Sequence, residues 1–172
     1  MSIEIVLLQP EQPGNAGAIG RTCLCAGAHL HMIRPFGFHT DEKSVRRAGL
    51  DYWPRLAPKE YVSYDAFLAA HPGARIWYLT TKAPRTIADV SYADGDFLMF
   101  GRESAGIPEE ILAAHPDRCV RIPMAPGERS LNLASSVSIA LYEALRQLGY
   151  PGLESEGHLH RLAWQEPAGG DA

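Results

Sequence analysis

Three short segments of the chain concentrate residues that could do chemistry. The first, Gln9-Pro10-Glu11-Gln12-Pro13-Gly14-Asn15-Ala16-Gly17, leads on to Arg21. The second is Gly101-Arg102-Glu103-Ser104-Ala105-Gly106, and the third runs Pro123-Met124-Ala125-Pro126-Gly127-Glu128-Arg129-Ser130-Leu131-Asn132. Glycine has no Cβ, so such segments let bare backbone come close to a small ligand. An adenosine suits them: main-chain N–H and C=O groups can read its base edge, and Leu79, Ile122, Met124 and Leu131 can wall the pocket. Tight turns would use the same glycines, and spacing alone leaves both uses open.

Two nucleotide motifs fit poorly. The glycines at 14, 17 and 20 are spaced G-x-x-G-x-x-G, not the G-x-G-x-x-G of a dinucleotide-binding turn. Gly101 and Gly106 have P-loop spacing, but Ile107 and Pro108 occupy the places of its lysine and hydroxyl residue. Cys23 and Cys25 with His29 and His31 suggest zinc at first sight. Cysteines two apart on a helix diverge, however, and the histidines are expected to alternate around a strand, so packing accounts for both pairs and no metal is expected.

These segments need a scaffold. Residues 3–8 are apolar and β-branched and stop at Pro10, as a buried strand does. A helix follows, with Asn15 as its expected cap, Ile19, Cys23 and Ala26 at helical spacing, and Gly27 as its stop. Residues 29–33 form the next strand. Between 37 and 61 the pattern is irregular, with a short helix expected at 44–48 and Pro54 and Pro58 as breakers. A short capped helix at 63–70, strands at 75–80 and 96–100, a helix at 108–114 with Pro108 first, and a strand at 119–124 complete the alternation. Ser130 or Asn132 opens the longest helix, whose Leu133, Val137, Ala140, Leu141, Ala144 and Leu145 make one stripe closed by Gly149 and Pro151.

Strand–helix alternation over residues 1–152 predicts one α/β domain with a mostly parallel sheet and flanking helices. Ligands of such sheets bind beyond the carboxyl ends of strands, where all three segments fall. Residues 153–172 are polar and glycine-rich and form an expected mobile tail. At 172 residues and 46% hydrophobic, the chain suits one core. A net charge of −4 argues against coating nucleic acid by bulk electrostatics. Arg34, Lys43, Arg46, Arg47, Arg55 and Lys59 nevertheless cluster as a candidate phosphate-binding face. Three sparse cysteines, no basic-then-apolar leader and no apolar run near the ~20 residues that span a bilayer make the cytoplasm the expected location.

The three segments, taken in order, carry a resemblance. Asn15-x-Gly17-x-x-x-Arg21, the run from Phe97-Leu98-Met99-Phe100-Gly101 to Ile107-Pro108, and Arg121-Ile122-Pro123-Met124 through Ser130-Leu131-Asn132-Leu133-Ala134-Ser135 resemble the three motifs of the SPOUT methyltransferases. With Arg46-Arg47-Ala48-Gly49-Leu50-Asp51-Tyr52 and no added RNA-binding domain, the chain is similar to the tRNA (cytidine(34)-2′-O)-methyltransferase family from about residue 3 to residue 152. No one motif carries this; three in order, at the right separations, do.

The resemblance implies a SPOUT fold with a C-terminal trefoil knot, acting as a homodimer. It implies S-adenosyl-L-methionine as methyl donor, and as acceptor the 2′-hydroxyl of wobble nucleotide 34, cytidine or modified uridine, in leucine tRNAs. The cofactor would then lie against Leu79, Gly101, Glu103, Gly106, Ile122, Met124, Ser130 and Leu131, and Arg46 and Arg47 would contact RNA. Arg21 and Asn15 would be catalytic, and Glu103 would hold Arg21 or a ligand amine. A guanidinium pKa above ~12 suits Arg21 to orienting a phosphate or polarising the hydroxyl better than to acting as a base. The rivals are a SPOUT enzyme for ribosomal RNA or another tRNA position, a non-catalytic RNA-binding module, and a different α/β enzyme that uses the glycines for a dinucleotide.

Overall fold

A computed structural model describes residues 2–38 and 53–164 of the chain. Its strands are β1 (Glu4–Leu8), β2 (His29–Ile33), β3 (Lys59–Tyr61), β4 (Ile76–Leu79), β5 (Phe97–Phe100) and β6 (Cys119–Val120). They form one sheet in the order β3-β2-β1-β5-β4-β6, and every pairing is parallel. Parallel neighbours require crossover connections. The described helices are α1 (Pro13–Ala26), α2 (Trp53–Leu56), α3 (Tyr64–Ala70), α4 (Glu109–Ala114) and α5 (Leu133–Gln147), with a 3-10 turn at Pro116–Arg118.

Helices on both faces explain why the central strands are apolar in both directions. Ile5 and Leu7 of β1 pack with Ile19 and Cys23 of α1 and Val137 and Leu141 of α5. Val6 and Leu8 point the other way, into a cluster with Phe67 and Leu112. The expected stripe on α5 is the buried one, from Val137 to Leu145. That helix lies against α1, where the hydroxyls of Thr22 and Ser138 are 3.3 Å apart.

Several expected features take a different form. Asn15 is not the cap of α1: the helix starts at Pro13, whose ring tolerates the first helical position, and Gln12 holds the cap position with no side-chain bond of its own. Gly27 does close it, at φ 65°. The strand expected over 119–124 ends at Val120. Its neighbour β4 has already ended, so Arg121 pairs instead with the loop after β4: Ile87 N–H donates to Arg121 O, and Arg121 N–H to Arg85 O, each at 2.9 Å. Pro123 then has no N–H with which to extend a ladder. Helix α4 begins one residue later than expected, with Pro108 at its cap.

The helix expected at 44–48 lies outside the described residues. Within the stretch read as irregular, residues 53–56 make one helical turn and residues 59–61 add an edge strand beside β2. Residues 154–164 are exposed and carry no helix or strand, while Leu153 packs partly against the core. Among the described residues no helix is long and apolar enough to cross a membrane.

His29 and His31 do not diverge. Residues two apart on a strand share a face, and both rings reach Glu4 on β1, His29 Nδ1 at 2.8 Å and His31 Nε2 at 2.7 Å. Burial raises the Glu4 pKa, but the hydrogen bonds from His31 and His29 outweigh it and hold it at about 2. Cys23 is buried, its thiol pushed up to about 12 by that burial, whereas Cys25 is exposed. Glu4 and His29 open their strands, so this cluster lies at the end of the sheet opposite the three loops.

Candidate functional site

The loops leaving the carboxyl ends of β1, β4, β5 and β6 surround one cavity of about 660 Å³. Gln12 and, on the first turn of α1, Asn15 line it after β1, residues 79–82 after β4, and residues 100–107 after β5. After β6 it is lined by Ile122, Met124, residues 129–132 and, on the first turn of α5, Leu133 and Ser136. Eight residues expected to meet a cofactor, namely Leu79, Gly101, Glu103, Gly106, Ile122, Met124, Ser130 and Leu131, therefore share one rim. Asn15 shares it too; Arg21 does not, and Arg46 and Arg47 lie outside the described residues.

The loop after β5 folds back on itself. Arg102 N–H donates to Gly106 O at 3.2 Å, and Gly106 N–H to Arg102 O at 2.8 Å. Gly106 takes φ 71°, a left-handed conformation that side chains disfavour. A Cβ on Gly101 would stand 2.1 Å from the Gly106 carbonyl carbon and 2.2 Å from Ile107 N. The glycines thus build a closed turn, and that turn exposes main chain to the cavity. Around the same cavity, Leu79, Ile122 and Met124 are half-buried, and Leu131 keeps 40% of its surface exposed.

Glu103 ties this turn to the start of α1. Its carboxylate accepts from Glu11 N–H at 2.8 Å, Gln12 N–H at 3.2 Å and Asn15 Nδ2 at 3.0 Å. Helix N-termini leave several N–H groups without partners inside the helix, and a carboxylate there is favoured by charge as well. Asn15 Oδ1 in turn accepts from Asn132 Nδ2 at 3.0 Å, and Asn132 Oδ1 caps α5 by accepting from Ser135 N–H at 3.2 Å. Ser104 returns the link: its N–H and hydroxyl donate to Glu11 at 2.9 and 2.8 Å, which lowers the Glu11 pKa. Arg102 also donates to Gln9 Oε1.

Glu103 is therefore occupied by α1 and not by Arg21. Arg21 sits on the exposed side of α1, six residues past Asn15. Six residues rotate about 240° around a helix and advance about 9 Å, which carries its side chain away from the cavity of its own chain. Gln9, Glu11 and Ser104 escaped sequence reasoning as tethers, because each partner lies about 90 positions away and no local spacing signals it. Thr80, Thr81 and Lys82 were also missed; their only signal is that they follow a strand end.

A parallel α/β sheet with a cavity gathered at its strands' carboxyl ends, lined by a glycine-bounded turn and by both apolar and polar side chains, belongs to the class of small-ligand-binding α/β domains. Comparison narrows the class. The family model described as "SpoU rRNA Methylase family" matches residues 2–142, and the chain belongs to that family of methyltransferases. A relative from Escherichia coli (strain K12), tRNA (cytidine(34)-2′-O)-methyltransferase, is 50% identical over 151 residues, covering 87% of this chain and 96% of that protein. A solved structure described as giving structural insights into the 2-OH methylation of C/U34 on tRNA matches at TM-score 0.80 and 45% identity, over 86% of this chain and 97% of its own. An AdoMet-bound rRNA methyltransferase from Sinorhizobium meliloti matches at TM-score 0.71 and 27% identity, over 86% of this chain and 57% of its own.

Proposed function

We propose that the protein transfers the methyl group of S-adenosylmethionine to the ribose 2′-hydroxyl of nucleotide 34, cytidine or modified uridine, in leucine tRNAs. The cavity carries this reading. Exposed Leu131 and half-buried Leu79, Ile122 and Met124 line, together with the glycine-bounded turn of residues 101–106, a space of about 660 Å³. Apolar faces for a purine, main-chain groups for its edge and room for an amino-acid tail suit that cofactor, and ligand cavities commonly run about 300–1,000 Å³. The similarity to the E. coli tRNA (cytidine(34)-2′-O)-methyltransferase supports the acceptor nucleotide, and the AdoMet-bound neighbour supports the donor.

Bound there, S-adenosylmethionine supplies a methyl carbon already activated by its positive sulfur. What the chain must add is placement: correct orientation of the attacking oxygen is worth about 7–11 kcal/mol of barrier. The ribose oxygen would form its C–O bond as the C–S bond breaks, S-adenosylhomocysteine would leave, and the hydroxyl proton would pass to solvent water. Arg21, with its planar fork of N–H donors, orients a neighbouring phosphate or polarises that hydroxyl.

Arg21 lies outside the rim of its own cavity, and Ile139 and Tyr142 leave apolar surface on α5, 42% and 43% exposed. Both features support a homodimer in which Arg21 of one copy serves the cavity of the other, and the cytoplasm is its proposed location. The return of the chain from edge strand β6 to α5, packed on α1, is compatible with a trefoil knot. Arg46 and Arg47 are assigned to the RNA.

Incubation of the purified protein with S-adenosylmethionine and leucine tRNA, followed by nucleoside mapping, tests the proposal. A 2′-O-methyl mark at nucleotide 34 is expected. Base methylation, or a mark only on another tRNA position or on ribosomal RNA, would overturn it.

A further inference from the structure

The hydrogen-bond chain from α5 to Glu103 has a direction that its two ends impose. At one end Ser135 N–H can only donate, so Asn132 must offer it Oδ1 and turn Nδ2 outward. At the other end an ionised Glu103 can only accept, so Asn15 must offer it Nδ2 and turn Oδ1 outward. The two outward groups are complementary and meet at 3.0 Å. Three loops that reach the cavity from separate strands are thereby joined by one polar sequence, which runs from the N-terminus of α5 to that of α1.

A carboxamide can donate at one end and accept at the other, which an ionised carboxylate of the same length cannot. We propose that Asn15 and Glu103 are a positioning pair: their fixed donor–acceptor polarity holds the start of α1 in register with the loops that form the cavity, and sets both cofactor affinity and the placement of Arg21. This rests on the methyltransferase reading of the cavity. It assigns Glu103 to the helix and not to the ligand, and it makes Asn15 a positioning residue.

The pair predicts a substitution that only a polarity swap can repair. Asn15→Asp sets two carboxylates face to face, so one of them is forced to bind a proton and its pKa rises. Such a group is tolerated below its ordinary pKa, and its cost appears as pH rises through the raised value. Asn15→Asp should therefore lower both the thermal midpoint of the ligand-free protein and the affinity for S-adenosylmethionine, with deficits that grow from pH 5 to pH 8. In Asn15→Asp/Glu103→Gln the amide and carboxylate have exchanged places: Gln at 103 donates to Asp at 15, which still accepts from Asn132. The carbonyl oxygen of that Gln still accepts from Glu11 N–H, while Gln12 N–H, which shares the replaced oxygen with Asn15, loses its acceptor. The repair therefore covers the Asn15 contact and not the whole tether.

Thermal midpoints and calorimetric affinities for S-adenosylmethionine, measured across that pH range for the wild type, both single variants and the double, test the pair. The double variant should lose the pH-dependent deficit and exceed the product of the single effects on affinity by about tenfold or more at pH 8. On tRNA its recovery should appear in KM for the cofactor and in kcat together. A double variant no better than the singles combined, or Asn15→Asp with wild-type midpoints and affinity at pH 8, would overturn the proposal. Wild-type protein that binds S-adenosylmethionine but leaves nucleotide 34 unmodified would remove the RNA assignment alone. The midpoints of the ligand-free variants judge the pair in either event.

Discussion

Gly101 lies directly under Gly106: a Cβ added at 101 would come 2.1 Å from the Gly106 carbonyl carbon. The contact is with backbone on both sides, so no side chain can swing aside to relieve it. Gly101→Ala should push the turn out of register, at a cost of about 1–3 kcal/mol, as overpacking does elsewhere. The expected result is a lower thermal midpoint together with weakened S-adenosylmethionine binding by calorimetry. Wild-type affinity in this variant would show that the turn does not shape the cavity.

Arg21 offers the opposite prediction. Because it is not among the residues lining the cavity, Arg21→Ala should bind S-adenosylmethionine nearly as the wild type does, yet lose turnover on tRNA. Removal of an interaction made mainly in the transition state lowers kcat and kcat/KM together. Mixing Arg21→Ala with a cavity-defective variant such as Gly101→Ala should restore part of the activity if the two copies of a dimer share sites. Lost cofactor binding in Arg21→Ala would remove it from the reaction step.

Glu4 governs acid stability. Its carboxyl is held at about 2 against an ordinary 4.5, so the native state prefers the ionised form. That stabilisation is fully present above the unfolded value and is lost as pH falls toward the folded one, between about pH 5 and pH 2. The shift corresponds to about 3 kcal/mol near neutrality. Denaturant unfolding of wild type and Glu4→Gln should differ most near pH 7 and converge toward pH 2.5. Parallel curves over that range would show that the ring contacts of His29 and His31 do not hold the charge.

Much of the scaffold was legible because its signals are local. The α5 stripe, the left-handed stop at Gly27 and the Ser63 cap, which accepts from Ala66 N–H at 3.1 Å, each follow from residues within a few positions of one another. The same holds for the loops of the cavity, since ligand sites of parallel sheets lie past strand ends. Strand β3 was not legible: Lys59-Glu60-Tyr61 is short and polar, and only its pairing with His31–Ile33 makes it a strand. Strand β6 ended early because its length depends on where β4 stops. Asn15 lost the cap role to a proline two positions earlier and to a glutamate 88 positions later. Neither Glu103 nor Glu11 carries any local mark of the tether they form. The face shared by His29 and His31 was legible in principle, since it follows from the period of a strand.

The central claim is that one ribose hydroxyl accepts the methyl group, and a leucine tRNA with 2′-deoxycytidine in place of cytidine 34 tests it most directly. With labelled S-adenosylmethionine, the unmodified tRNA should gain one methyl group, found on digestion as 2′-O-methylcytidine, and the deoxy tRNA should bind yet gain none. Equal methyl incorporation into both tRNAs would contradict the account.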